Sequence, residues 1–317
     1  MSFSKKIINI VNEEFEAKRA KNEALRDERL FEIYSKIPEI KAIDKELSLT
    51  GVNIMACAIE GKDGLSERIA KLKERNLELQ KKRADLLISN GYSESYTDTH
   101  NDCPICQDWG AHNGKACECY KSRLIEEQFK ASGISNLIKT QSFETFSLDM
   151  YEKKDDMREL LDYARNYVSD FAKIKDNILF VGGTGLGKTH LSTSIAKALI
   201  ENGYNVIYET AQNIFFDFDA DRFRDRYSDE EPISGKYLDS DLLIIDDLGA
   251  EAVNSFTIAC LYNIINTRLN KNLPIIASTN LSSKEIRDKY HDRITSRLFG
   301  EFTIKMFQGS DLRKIKK

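Results

Sequence analysis

Gly182, four residues, then Gly187-Lys188-Thr189 set a cationic, glycine-rich loop between an apolar run and a helical one. The full stretch is Gly182-Gly183-Thr184-Gly185-Leu186-Gly187-Lys188-Thr189. Its glycines allow backbone angles that turn successive amides inward, and the helix start that follows adds a favourable dipole, so the loop is expected to bind a polyphosphate. Lys188 supplies a point charge for the β- and γ-phosphates, and the Thr189 hydroxyl is a ligand for Mg2+. A second element lies downstream, where the apolar run Leu242–Ile245 ends in Asp246-Asp247. Carboxylates at the carboxyl end of a parallel strand sit where such a sheet presents its ligands. Asp246 is expected to hold the Mg2+ shell, and Asp247 to polarise an attacking water, with Glu251 as an alternative for the second task.

Four of the six cysteines, Cys103, Cys106, Cys117 and Cys119, fall together, and Cys57 and Cys260 stand apart in apolar surroundings. Four thiolates are what a closed tetrahedral structural Zn2+ site needs. The C-x-x-C turn brings two sulfurs to one ion, and Gly110, Asn113 and Gly114 supply a return to the second pair. The C-x-C spacing of that pair leaves His112 as a substitute for Cys117 or Cys119. The polar residues around the cluster cannot bury four free thiols, and no thioredoxin-like context supports a redox dithiol. Trp109 is expected to cover the metal site or to pack on the helices before it.

These residues need elements to hold them. Residues 1–90 read as helix, interrupted at Pro38. Leu65, Leu72, Leu79 and Leu86 are seven apart, with Ile69 on the same seam, but Asn76 and Arg83 break it, which suits a helix packed in a hairpin or small bundle. Asn90-Gly91 stops that helix, and a further helix ends at Gly133. From about Gln141, short β-branched runs alternate with amphipathic stretches: Ile178–Val181, Val206–Tyr208, Leu242–Ile245 and Ile275–Ser278. That alternation predicts an α/β fold, a parallel sheet with helices on both faces. The expected organisation is a helical domain over 1–120 with the cysteine module at 103–119, a linker over 121–140, and an α/β domain over 141–317.

With 317 residues, Lys+Arg 47, Asp+Glu 51 and a net charge of -4, the chain has room for two domains and no overall basic coat. Contact with nucleic acid would need a local patch, and the scattered Arg222, Arg224 and Arg226 are offset by Asp217, Asp219, Asp221 and Asp225. No run of apolar residues is long enough to span a membrane and no signal peptide is visible, so the expectation is a cytoplasmic protein without membrane association.

The ordered motifs GGTGLGKTHL, LLIIDDLGAE, IIASTN and RITSRLFG resemble the AAA+ ATPases of bacterial replication, most closely the DnaC/DnaI-type replicative helicase loaders. The resemblance covers roughly 140–317, and the cysteine cluster behind a helical arm extends it towards the N-terminus. It implies ATP as the bound polyphosphate, a DnaB-type helicase and single-stranded DNA as partners, and self-assembly on the helicase through AAA+ interfaces. It also implies roles for three further residues: Asn280 as the sensor of the γ-phosphate, Arg297 (with Arg293 as competitor) as a finger acting across a subunit interface, and Arg313 as the arginine that contacts nucleotide in cis. Asp246-Asp247 departs from the Asp-Glu of many AAA+ enzymes. The shorter second carboxylate reaches water less far, so hydrolysis is expected to be slow and stimulated by partners. The ATPase helpers of transposition systems share this core, as would a stand-alone ATPase; the cysteine cluster favours the loader.

Overall fold

The computed structural model describes residues 3–59, 65–134, 136–223 and 232–312. Two compact units divide the chain: Asn12–Cys119, and Met1–Val11 with Tyr120–Lys317. Arg224, Arg226 and Arg313 lie outside the described residues, as does the side chain of Cys57.

The first unit is built from helices. They are α1 (Lys5–Lys36), which belongs to this unit from Asn12 onward, α2 (Pro38–Ser48), α3 (Thr50–Ile59) and α4 (Leu65–Ser89). Pro38 begins α2 at its first turn, where its missing N–H leaves no bond unmade. The small core consists of Ile33, Ile37, Ile40 and Leu87, with Tyr34, Leu86, Tyr92 and Tyr96 packed against it. Arg83, the polar break in the leucine seam, turns to Asp44 at 2.7 Å and Thr97 at 2.7 Å, so the seam closes on α2 through an ion pair. The cysteine module follows, with a short hairpin of β1 (Ala111–His112) and β2 (Lys115–Ala116).

The second unit opens with α5 (Glu118–Ala131), which fills much of the stretch expected as linker. It docks on the sheet: Gln128 is fully buried, and its Nε2 donates to Val206 O at 3.2 Å. Then come α6 (Lys154–Asp170), β3 (Asn177–Val181), α7 (Lys188–Glu201), β4 (Val206–Thr210), α8 (Ala211–Arg222), α9 (Gly235–Asp239), β5 (Leu242–Asp246), α10 (Ser255–Asn270), β6 (Ile275–Thr279), α11 (Ser283–Lys289), α12 (Asp292–Gly300) and β7 (Phe302–Met306). The sheet order is β4-β5-β6-β3-β7, with every pairing parallel.

Alternation along the strands sorts the two faces. Ile178, Phe180, Ile244 and Ile276 point to the layer of α6 and α7. Leu179, Val181, Leu243, Ile245 and Ala277 point to the layer of α8, α10 and α12. The expected parallel sheet, covered on both faces, is therefore the observed one. The fifth strand, β7, was not foreseen: it is an edge strand whose middle residues are exposed, so it lacks the continuous apolar signature. Capping boxes at Asn254/Thr257 and Ser282/Glu285 start α10 and α11.

Candidate functional site

The loop Gly182–Gly187 leaves the carboxyl end of β3 and turns into α7, as the sequence requires. Gly187 has φ +91, and a Cβ there would run into the Tyr151 hydroxyl. That hydroxyl donates to Leu186 O at 3.0 Å, which fixes the end of the loop. On the opposite side the chain returns from β7 over the loop: a Cβ on Gly182 would meet Phe307 O at 2.5 Å, and Leu312 N donates to Gly185 O at 3.2 Å. Glycine is needed at both points for close approach as well as for the turn.

Lys188 is only 5% exposed. Its Nζ donates to Gly182 O and Gly183 O, each at 2.7 Å, and to Asn280 Oδ1 at 2.6 Å. Asn280 follows β6, so the residue singled out as a phosphate sensor meets the loop cation directly. Thr189 Oγ1 donates to Asp246 Oδ2 at 3.1 Å, which brings the hydroxyl and the carboxylate of the expected Mg2+ shell together. Asp246 Oδ1 also accepts from Ser278 Oγ on the adjoining strand. Hydroxyl and carboxylate oxygens suit a hard divalent cation, and a cationic loop lined by amides suits a polyphosphate.

Asp247 is exposed, with a left-handed φ of +52, and its N–H donates to Ser278 Oγ at 3.1 Å. Asp tolerates this conformation better than a longer side chain does. Glu251, the alternative for water activation, is turned elsewhere: it is 4% exposed, accepts from Gly249 N at 2.7 Å, and accepts from the Tyr290 hydroxyl. Burial, with Glu251 alongside, pushes the Tyr290 phenol far above its ordinary value, so it stays a donor. Glu251 thereby braces the Asp247–Gly249 turn against Tyr290, the residue that caps the end of α11.

Arg297 sits apart from the phosphate loop, on α12. Its Nη2 donates to Tyr262 Oη and Asn266 Oδ1, each at 3.1 Å, and the guanidinium stacks over Tyr262 at 4.6 Å. Arg293 lies on the same helix, is exposed, and among the described residues has no side-chain partner.

The four cysteines come together: their sulfurs all lie within 4.8 Å of one another, and His112 is not among them. Cys103 and Cys117 sulfurs are 3.8 Å apart, and those of Cys106 and Cys119 are 3.4 Å apart. Tetrahedral thiolates at ~2.3 Å from Zn2+ stand ~3.8 Å from each other, so the donor set fits that ion. The Cys106 backbone N–H lowers the Cys103 thiol to about 7, whereas burial and then the neighbouring Cys106 push Cys119 up. Sulfurs this close oppose one another's ionisation unless a cation offsets them.

Sequence reading missed Asp108, which organises the turn. It is 2% exposed with φ +60, and its carboxylate accepts from Asp102 N and Cys103 N at 2.9 Å each. A polar residue after C-x-x-C is an ordinary turn signal, and nothing in its identity reveals burial. Arg19 of α1 donates to Asp108 O at 2.8 Å and lies 4.5 Å over the Trp109 ring, so the largely exposed Trp109 meets the helical arm through that guanidinium.

Among the described residues no helix is long and apolar enough to cross a membrane. A family model described as IstB-like ATP binding protein matches residues 120–299. The replicative helicase loader DnaC of Escherichia coli (strain K12) is 26% identical over 178 residues, 56% of this chain and 71% of that protein. The phage-like element PBSX protein XkdC of Bacillus subtilis (strain 168) is 28% identical over 201 residues, 57% of this chain and 72% of that protein. The crystal structure of a DnaC helicase loader aligns at a TM-score of 0.45 and 23% identity, covering 52% of this chain and 98% of that one. With the phosphate loop and strand carboxylates in this arrangement and more than half of its length matched, the chain belongs to the IstB-like ATP-binding family of AAA+ ATPases.

Proposed function

We propose that this ATPase loads a DnaB-type replicative helicase onto single-stranded DNA, with residues 1–120 gripping the helicase and residues 141–317 controlling the grip through ATP. The observation that carries this reading is the Lys188–Asn280 contact, which ties the phosphate loop to the end of β6. A site wired in this way registers whether a γ-phosphate is present and passes that state to the sheet. The 26% identity to a protein named replicative helicase loader supports this choice of partner.

In this reading the amides of Gly182–Gly187 and Lys188 hold the phosphates, and Thr189 and Asp246 hold Mg2+. The metal supplies charge neutralisation at the β- and γ-phosphates. Asp247 orients and deprotonates the attacking water, and Asn280 fixes the γ-phosphate during transfer. A finger from a neighbouring copy stabilises the developing charge; the exposed guanidinium of Arg293, without a side-chain partner among the described residues, favours it over Arg297, which its own chain already engages. Arg313 is assigned to nucleotide contact in cis. Zn2+ on Cys103, Cys106, Cys117 and Cys119 is structural, holding the module on the helical arm.

The test is co-elution of the full-length chain with a DnaB-type hexamer, with and without ATP, followed by ATPase assays with single-stranded DNA. A complex whose DNA-stimulated ATPase depends on Lys188 is expected. Failure to bind helicase, with ATPase stimulated instead by a transposase, would replace this reading by that of a transposition helper, which the family description also fits.

A further inference from the structure

We infer that Tyr208, a residue outside the nucleotide-binding motifs, is a positioning residue that holds the Asp246 carboxylate in its Mg2+-binding orientation. The inference rests on the reading of Asp246 as a metal-site carboxylate.

An aspartate's last torsion is broad and roughly two-fold, so its backbone does not fix where its oxygens point. Asp246 is pinned from both adjoining strands. Ser278 on β6 donates to Oδ1, and Tyr208 on β4 donates to Oδ2 at 2.6 Å. Thr189, the other expected Mg2+ ligand, donates to the same Oδ2 at 3.1 Å. Without the tyrosine hydroxyl, Oδ2 would rest on Thr189 alone, and the carboxylate would keep two of its three hydroxyl donors.

Tyr208 is built for this. Its Cα pairs with Ile244, two residues before Asp246, so the ring runs along the sheet face to reach the carboxylate. It is 6% exposed within the core under α7.

The main chain of Tyr208 is also held. β4 is an edge strand, and its outer side is covered by the segment after α5: Tyr208 N donates to Ser132 O at 2.9 Å. Gly133, at φ +84, lies so close that a Cβ would stand 2.5 Å from Tyr208 O. Only glycine allows that approach, which locks the register of the strand and the reach of the ring.

Tyr208→Phe removes the hydroxyl and keeps the packing. Affinity for a fluorescent ATP analogue would be measured in EDTA and across a MgCl2 titration, beside wild type and Asp246→Ala. Tyr208→Phe is expected to match wild type in EDTA within about 2-fold. The Mg2+ concentration giving half of the affinity gain should rise roughly 3–10-fold, the net worth of one typical hydrogen bond. Each protein is its own control between EDTA and Mg2+, so a modest loss of stability does not obscure the result. A Mg2+ titration of Tyr208→Phe that overlays wild type, while Asp246→Ala loses the gain, would overturn the inference alone. An equal loss of affinity in EDTA and in Mg2+ would make Tyr208 a core residue only. If Asp246→Ala keeps the full gain, the metal-site reading falls and takes the inference with it.

Discussion

Lys188 Nζ lies 2.6 Å from Asn280 Oδ1, although the two residues belong to the first and fourth strands' exits in chain order. They are neighbours because β6 pairs with β3. The two side chains should fail differently. Lys188→Ala should weaken ATP binding roughly 100-fold, the loss of two or so charge-assisted bonds to phosphate. Asn280→Ala should bind ATP within a few-fold of wild type but turn it over at least ~10-fold more slowly. Nucleotide titration and steady-state ATPase measure both, and equal loss of binding in the two variants would dismiss the sensor role.

The cysteine site gives a compositional prediction. Protein purified without chelator should carry about one Zn2+ per chain, and Cys103→Ser should release it while the ATPase unit still binds nucleotide. Elemental analysis of both proteins decides this; no zinc in wild type would sink the assignment.

Two arginines on α12 separate by what holds them. Arg293→Ala should keep ATP binding and lose hydrolysis, whereas Arg297→Ala should lower the melting temperature by freeing α12 from Tyr262 and Asn266 on α10. Mixing Arg293→Ala with Asp247→Asn, in the presence of helicase and single-stranded DNA, should restore part of the ATPase, because some interfaces then combine an intact Asp247 with an intact Arg293. If rescue occurs only with Arg297→Ala, the finger is Arg297.

Acid should act on the helical unit through Glu32. Hydrogen bonds from Lys36, then from Tyr96 and Tyr92, hold its carboxyl down from 4.5 to about 2. A carboxyl depressed in the folded state stabilises it above pH 4.5, and that contribution is lost as the pH falls through about 2. Glu32→Gln should therefore lower the helical unit's stability at neutral pH and flatten its decline over that acid range. Thermal melts followed by circular dichroism at stepped pH would show it; parallel acid limbs for the two proteins would refute it.

Arg268 is fully buried, and its guanidinium donates to Tyr237 O at 2.8 Å, Ser240 Oγ at 3.1 Å, Ser240 O at 3.0 Å and Pro274 O at 2.8 Å. Burial lowers it to about 10, so it remains charged at neutral pH. Arg268→Met keeps the aliphatic stem and strands three carbonyls, which should cost about 3–5 kcal/mol. Urea unfolding would measure the loss, and a change below ~1 kcal/mol would show that water replaces the guanidinium.

The sequence carried the central strands because both of their faces are buried, so β3, β5 and β6 read as unbroken aliphatic runs. It carried the phosphate loop because glycine and lysine have few reasons to recur at that spacing. β7 escaped notice because Thr303 and Ile304 are exposed on an edge strand and Lys305 interrupts its apolar run. Tyr208, Asp108 and Arg268 escaped for a common reason: each matters through what a distant segment brings to it, and residue type alone does not report a tertiary partner. Arg297 and Arg293 look alike in sequence, and only the positions of Tyr262 and Asn266 tell them apart.

The loop at Gly182 lies under Phe307, and β3 pairs along one side with β7. A ribosome that has made everything up to α12 has therefore produced both motif segments, yet left β3 with one unpaired edge and the loop with one wall missing. That wall comes from residues 302–312, which follow both motif segments in the chain. At ~5–20 residues per second that interval is brief, but it sets an order: the loop gains its second wall only after both motif segments have been made. A nascent chain stalled before Phe302 would offer an open strand edge to other chains in place of a closed nucleotide site.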